Sequence, residues 1–324
     1  MKFGILGANG FLGRHLVECI GRSHEPIAIC RREMDLGVPL RKADLLDTES
    51  MVAAFEGLDV VVNAAGNVSN EPGDAEWMWR VHCQGAENVV EATKAAGVPK
   101  LVHLSTSGTI AVSESPDITM DEYSERPLNL VQKWPYYRSK LLAEDLVMAA
   151  EGIEVYCLNP ALLLGPGDVS GGSTKAVRYF LEDRLDAAPS GTLAFVDVRD
   201  VAEAVLLVLE RGEPRRRYLL SSQSSSFGEF YQRLARISGK SPLRFTLPGV
   251  TRQFLNLFPS FGKEGGIGFG HKLSRVEVEV SAHNWAVDAS RAKQELGWRP
   301  RDPSDTLTDT VIDLIHNAGN RVMM

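Results

Sequence analysis

Three glycines at constant spacing, Gly7, Gly10 and Gly13, separate a short apolar run, Phe3-Gly4-Ile5-Leu6, from the helical pattern of Leu16, Val17 and Ile20. A strand, a tight glycine turn and a helix in that order allow few folds. Gly7 permits the bend, Gly10 lets backbone approach a pyrophosphate, and Gly13 lets helix and strand pack closely. The N-terminus of the helix beyond the turn offers N–H groups and a positive dipole end to phosphates. The stretch Gly7-Ala8-Asn9-Gly10-Phe11-Leu12-Gly13 is therefore read as a dinucleotide cradle, with Asn9, Phe11 and Leu12 inside it. Its spacing, G-x-x-G-x-x-G, departs from the G-x-G-x-x-G of many dehydrogenases.

The alternation of strand and helix then repeats along the chain. Strands are expected at Ile27–Cys30, around Ala43, at Asp59–Asn63, Lys100–Leu104 and Glu154–Leu158, each a nearly continuous apolar run. Helices fall between them: one capped by Asp47 or Thr48 and running to Phe55, one from Trp79 to Ala96, and one from Pro135 to Ala150. Apolar strands alternating with helices mean an α/β protein with a doubly wound parallel sheet covered on both faces. Beyond Pro160 the alternation loosens, then Phe195–Val198 and a helix from Val201 to Leu209 restore sheet-like order. Residues 1–165, with 193–221 returning to them, are expected to form the dinucleotide-binding domain; 166–192 and 222–324 form a smaller substrate domain. The glycine-rich run Gly265–Gly270 follows no strand and reads as a loop over the site, and Phe254–Phe258, Phe261, Ile267 and Phe269 as cover for an apolar pocket or as ordinary core.

Bulk properties narrow the function. The 324 residues are 44% hydrophobic and 24% charged, which suits a globular protein. The net charge of −7 argues against a nucleic-acid partner, and the basic run Arg215-Arg216-Arg217 reads as a solvated entry to a strand. Cys19, Cys30, Cys83 and Cys157 lack metal-ligand spacing and read as small core residues in a reducing compartment, so no metal is expected. No long apolar run suggests a signal peptide or a membrane span, and a cytoplasmic location is expected.

Several side chains carry chemistry. At the end of the second strand a carboxylate would accept from a ribose 2′-hydroxyl, whereas arginine would pair with a 2′-phosphate. Arg31 and Arg32 stand there, followed by Glu33, which favours NADP(H) over NAD(H); in the other reading both arginines are solvated and Glu33 holds the ribose of NAD. Asp44, followed by Leu45, is placed to accept from the adenine amino group or to serve as a surface cap. Ser107 lies past the fifth strand, where doubly wound sheets bind ligands, with Ser105 and Thr106 as competitors for a carbonyl oxygen. Tyr136 and Lys140, four apart on a helix, share a face. A cation about 4 Å from a phenol favours its ionised form by roughly 4 kcal/mol at an effective dielectric near 20, with desolvation opposing.

Together these residues resemble the extended short-chain dehydrogenase/reductase family over nearly the full length. The resemblance is carried by Gly7-x-x-Gly10-x-x-Gly13, Asp44-Leu45, Asn63-Ala64-Ala65-Gly66, Ser107, Tyr136-x-x-x-Lys140, Asn159-Pro160, Gly165-Pro166-Gly167 and Glu295–Pro300. Leu158–Ala161 and Phe195–Ala202 look like the branch of dihydroflavonol reductases and 3β-hydroxysteroid dehydrogenases, which also includes proteins called hopanoid-associated sugar epimerases. The resemblance implies a Rossmann sheet and a homodimer joined by the helices around 79–96 and 135–150. It implies that Tyr136 is the general acid/base, that Lys140 holds the nicotinamide ribose and lowers the tyrosine pKa, and that Ser107 orients the substrate oxygen. Ala64, Ala65 and Gly66, with Asn159 and Pro160, would pass beside the cofactor.

Two departures matter. Where many members carry an asparagine assigned to a proton relay, this chain has His82, which reads either as a relay or as a helix-packing residue. After the fifth strand there is no Thr-Asp-Glu, which disfavours dehydration. The expectation is an NADP(H)-dependent reductase or dehydrogenase of a moderately apolar small molecule. A sugar-nucleotide 4-epimerase using NAD, and a non-enzymatic nucleotide sensor, are the alternatives.

Overall fold

Seven strands form one parallel sheet in the computed structural model, which describes residues 1–69, 72–247 and 275–322. The chain opens with β1 (Lys2–Leu6), α1 (Phe11–Gly21), β2 (Glu25–Cys30), β3 (Leu40–Lys42), α2 (Thr48–Phe55) and β4 (Val60–Asn63). Next come α3 (Ala75–Trp79), α4 (Gly85–Ala95), β5 (Lys100–Leu104), α5 (Leu128–Val131), α6 (Pro135–Met148), β6 (Glu154–Pro160) and β7 (Leu162–Leu164). The remainder is α7 (Lys175–Leu181), β8 (Ala187–Ala188), β9 (Thr192–Asp197), α8 (Val198–Arg211), β10 (Arg217–Leu220), β11 (Gln223–Ser226), α9 (Phe227–Ser238) and β12 (Phe245–Thr246), then α10 (Arg275–Ser281), α11 (Ser290–Glu295) and α12 (Pro303–Val322).

Strand order is β10-β6-β5-β4-β1-β2-β3. Winding reverses between β1 and β4, so their C-terminal ends frame the crevice in which such sheets bind ligands. On one face, Leu16 and Ile20 of α1 and Val201 and Val205 of α8 pack over Phe3, Ile5, Val62 and Val102. On the other, Met51 and Phe55 of α2, Val89 of α4 and Val147 of α6 cover Leu6, Ile29, Val61 and Leu101. Burial on both faces is why these strands read as continuous apolar runs.

Local sequence explains the element ends. The Asp47 side chain accepts from Ser50 N and starts α2. Pro135 opens α6, where a missing N–H costs nothing, and Ser226 with Glu229 forms a capping box on α9.

Three elements differ from expectation. The third strand is Leu40–Lys42, earlier than expected, because Asp44 turns the chain: its carboxylate accepts from Leu46 N. The helix expected as continuous from Trp79 to Ala96 is interrupted by a π turn, Arg80–Gln84, which joins α3 to α4. The strand containing Phe195 pairs outside the main sheet, with β7 and β11 in a three-stranded sheet, while Ala194 and Val196 still belong to the buried cluster that contains Phe3 and Ile5. Phe254–Phe258, Phe261, Ile267, Phe269 and the run Gly265–Gly270 lie outside the described residues.

Candidate active site

The glycine turn stands at the switch point. Gly7 has φ +76°, and a Cβ there would lie 2.9 Å from Ala64 O and from Ala65 Cα, so Ala64 and Ala65 form the opposite wall of the same crevice. A Cβ on Gly13 would collide with Gly7 O and approach Ala8 Cα to 2.7 Å, which is why only glycine lets α1 start this close to β1. Gly10 caps α1 with no side-chain partner, and the first turn holds no acid, so the N–H groups of that turn remain available to a phosphate. Phe11 and Leu12 begin the helix, and Asn9 Oδ1 lies 3.7 Å from Cys30 Sγ at the end of β2. These features fit a dinucleotide pyrophosphate.

Beside the turn, Arg31, Arg32 and Glu33 are exposed just past β2. Glu33 lies 3.7 Å from Lys42 Nζ, and both border an open hollow with Met34, Asp35 and Leu40. Asp44 uses one oxygen in its own turn, and Leu45 packs onto Gly85 of α4 while its carbonyl accepts from Asn88. Gly66 approaches His82.

Tyr136 and Lys140 both lie on α6. Lys140, 6% exposed, donates from Nζ to Leu104 O at 2.6 Å, and burial lowers its pKa to about 8. The Tyr136 phenol is pushed up to about 12, again by burial, with a hydrogen bond from the Thr106 hydroxyl acting against the rise. The expected lowering by Lys140 is absent among the groups that act on the phenol, where desolvation of the phenolate sets the direction. Of the three consecutive hydroxyls, each has a different task. Ser105 donates to Glu144 Oε2, Thr106 accepts from Gly108 N at 3.3 Å and faces Tyr136, and buried Ser107 leaves its hydroxyl without a partner among the described residues.

Glu144, one turn beyond Lys140 and wholly buried, is a residue that sequence reasoning missed. Its Oε2 also accepts from Thr109 Oγ1 at 2.8 Å and Asn159 Nδ2 at 2.7 Å, while Oε1 accepts from Arg217 Nε and from Arg126 at 3.4 Å. Asn159 is thereby held under the site, not at its surface. Arg217 corrects the reading of 215–217 as a solvated run, since it neutralises a carboxylate with no solvent access. The signal was present: an acid at the i+4 position from a site lysine shares its face.

A run of further aromatic rings begins at Tyr136. Tyr137 lies 5.0 Å from Tyr136, Trp285 4.9 Å from Tyr137, and Trp134 5.8 Å from both Tyr137 and Trp285, between centroids. A Cβ on Gly108 would run into the Tyr137 ring and lie 3.1 Å from Trp285, so glycine next to Ser107 lets these rings reach the loop. No local pattern announces Trp285, which arrives from the far end of the chain.

A doubly wound sheet with a phosphate cradle at its switch point and a tyrosine–lysine helix beside it defines a nicotinamide-nucleotide enzyme. The chain belongs to the NAD dependent epimerase/dehydratase family, whose model matches residues 4–221. It is an enzyme of the extended short-chain dehydrogenase/reductase type, a family that binds NAD or NADP. Among curated relatives, sterol demethylase protein B of Methylococcus capsulatus is 26% identical over 95% of this chain and 96% of its own. Cinnamoyl-CoA reductase 1 of Oryza sativa is 31% identical over 66% of this chain and 69% of its own. A dihydroflavonol 4-reductase-like protein of Synechocystis is 25% identical over 97% and 93%. The fold is shared with a nucleoside-diphosphate-sugar epimerase from Pseudomonas aeruginosa, with a TM-score of 0.78 and 21% identity over 98% of both chains. It is also shared with a UDP-glucose 4-epimerase of Thermus thermophilus solved with NAD, at a TM-score of 0.74 and 23% identity over 97% of this chain and 99% of that one. Among the described residues no helix is long and apolar enough to cross a membrane.

Proposed function

We propose that this enzyme is an NADP(H)-dependent reductase or dehydrogenase that interconverts a carbonyl and a secondary alcohol on a moderately apolar small molecule, with Tyr136 as general acid/base. The observation that carries the reading is the state of the Tyr136 phenol. With its pKa raised to about 12 by burial the phenol is neutral, and so carries the proton that a carbonyl oxygen would take. Ser107, whose hydroxyl has no partner among the described residues, takes the substrate oxygen from the other side. The rings of Tyr137 and Trp285 support an apolar substrate body.

Bound in the cradle of Gly7, Gly10 and Gly13, the dinucleotide supplies the hydride. Asn9, Phe11 and Leu12 would line its pyrophosphate end, Asp44 and Leu45 its adenine, and Ala64, Ala65, Gly66 and Pro160 its path to the nicotinamide, with Asn159 supporting that path from beneath. Lys140 would hold the nicotinamide ribose. The exposed Arg31 and Arg32, with Glu33 turned toward Lys42, support a 2′-phosphate and hence NADP(H). Exposed Trp79, Leu142 and Leu146 on the segments that pack near the site support pairing of two chains through these helices.

Oxidation of NADPH and NADH against a panel of ketones, aldehydes and sugar nucleotides tests this reading. Tyr136→Phe is expected to lower kcat by about 10²–10⁴-fold with dinucleotide affinity kept, and Arg31→Ala with Arg32→Ala to weaken NADPH while sparing NADH. Near-full turnover by Tyr136→Phe would remove the acid/base assignment. Cofactor retained through purification, with sugar nucleotides turned over at constant nicotinamide absorbance, would identify an epimerase instead.

A further inference from the structure

From the sequence His82 reads either as a relay or as a helix-packing residue, and its surroundings decide between the two. It lies in the π turn Arg80–Gln84, 4% exposed, with its ring 5.7 Å from the Tyr136 ring in an edge-on arrangement. Its Nε2 accepts from the backbone N–H of Asn67 at 3.3 Å, in the segment after β4. A nitrogen that accepts carries no proton, so in the neutral ring the proton sits on Nδ1. That Nδ1 lies 2.8 Å from Ser139 Oγ and donates to it, and Ser139 Oγ in turn donates to the backbone carbonyl of Tyr136 at 2.9 Å.

The polarity of this chain of bonds is therefore fixed from end to end: Asn67 N–H to His82, His82 to Ser139, Ser139 to Tyr136 C=O. Both ends are peptide groups. An amide N–H does not surrender its proton near neutral pH, and a peptide carbonyl does not keep one, so nothing enters or leaves the chain at either end. The hydroxyl of Tyr136 is not a member of it.

We propose that His82 is a neutral strut, locked in the Nδ1–H tautomer, that fixes the segment after β4 against the start of the catalytic helix, and that the proton for Tyr136 does not travel through it. The acid/base role of Tyr136 rests on the reductase reading; the tautomer and connectivity of His82 do not depend on it. The charged group that bears on the ring is Lys140, with neutral His103 deeper in the core and the Tyr136 phenol alongside; burial and the lysine both oppose a positive charge on His82 and outweigh the backbone contact with Asn67, which acts the other way. A π turn at this place is in keeping with its use: such turns recur where a helix must aim one side chain at a functional site. His82 is a positioning residue, acting through Ser139 on the backbone of Tyr136.

The test is long-range 1H–15N correlation on full-length protein carrying 15N-histidine, with the His82 signals assigned through His82→Gln. Between about pH 5 and 9, a range across which an exposed histidine titrates, His82 is expected to stay neutral with the proton on Nδ1. Titration within that range, or a proton on Nε2, would overturn the proposal without any recourse to activity. In parallel, pH profiles of kcat/KM would be recorded for the wild type, His82→Gln, Ser139→Ala and the double variant. A strut predicts that each single variant lowers kcat by roughly 10-fold, that the double variant loses little more, and that the profile keeps its shape. Disappearance of an ionisation limb in His82→Gln alone would mark a relay. If no carbonyl substrate is turned over by the wild type, the reductase reading falls while the spectroscopic result still decides the strut.

Discussion

Asn159 donates its amide to Glu144 Oε2 across 2.7 Å, joining the end of β6 to the helix that carries Tyr136 and Lys140. The same carboxylate gathers Ser105, Thr109, Arg126 and Arg217, so four separate segments converge on one buried charge behind the site. Replacing one partner of a buried pair leaves the others uncompensated and costs about 3–5 kcal/mol. Glu144→Ala is therefore expected to lose that much in urea unfolding, and Glu144→Gln less, since it keeps one acceptor. A loss under about 1 kcal/mol for Glu144→Ala would put the carboxylate on the level of a surface ion pair.

What could be read from the sequence was what is local. The strands, the glycine cradle and the capped helices depend on residues within one turn or one strand of each other, and the Tyr136–Lys140 spacing is itself a helical repeat. Thr106 and Ser107 could not be told apart, because adjacent hydroxyls on a tight turn differ only in the direction each takes. Arg217 looked solvated because its partner is 73 residues away. The π turn at Arg80–Gln84 left no trace in the apolar pattern, since one extra residue shifts the helical face without changing its composition. Trp285 and Gly108 illustrate the same limit from the other side: the glycine is explained only by a ring brought in from the C-terminal half.

The glycines of the cradle separate folding from binding. A Cβ on Gly10 meets only Gly7 O, at 3.2 Å, whereas one on Gly13 meets backbone on two residues. Gly10→Ala is expected to unfold close to the wild-type midpoint yet bind dinucleotide about 10-fold or more weakly, because the methyl points where pyrophosphate must approach. Gly13→Ala is expected to lose stability as well, by about 1–3 kcal/mol from overpacking. Paired thermal melts and fluorescence titrations with NADPH and NADH distinguish the two; equal affinity for Gly10→Ala and wild type would remove the cradle assignment.

An alkaline limit on turnover is expected from Lys140. Burial brings its pKa down to about 8, so the ammonium is present below that value and is lost as pH rises through it. If the ammonium holds a ribose hydroxyl, kcat/KM for the carbonyl substrate falls above about pH 8 while the fold persists. Lys140→Met would erase the limb together with most activity. A profile flat to the ordinary lysine range would show that the charge on Lys140 is not needed.

Acid should weaken the fold through the same buried layer. His82 has its pKa lowered from 6.5 to about 3, and His103, deeper in the core, is lowered further in the same direction, both chiefly by burial. Below 6.5 the unfolded chain binds protons at these rings that the folded chain refuses, so stability is whole above that pH and falls as pH drops toward 3. For His82 alone the loss between pH 6.5 and 5 is roughly 2 kcal/mol, at 1.36 kcal/mol per unit. His82→Gln is expected to be less stable than wild type at about pH 7.5, where its hydrogen bonds are missing, but to lose less on acidification, because a glutamine has nothing to protonate. Urea midpoints at the two pH values give the comparison. Parallel losses in the two proteins would mean that His82 takes up its proton in the folded state, and the neutral, two-ended hydrogen bonding that places it between Asn67 and Ser139 could not stand.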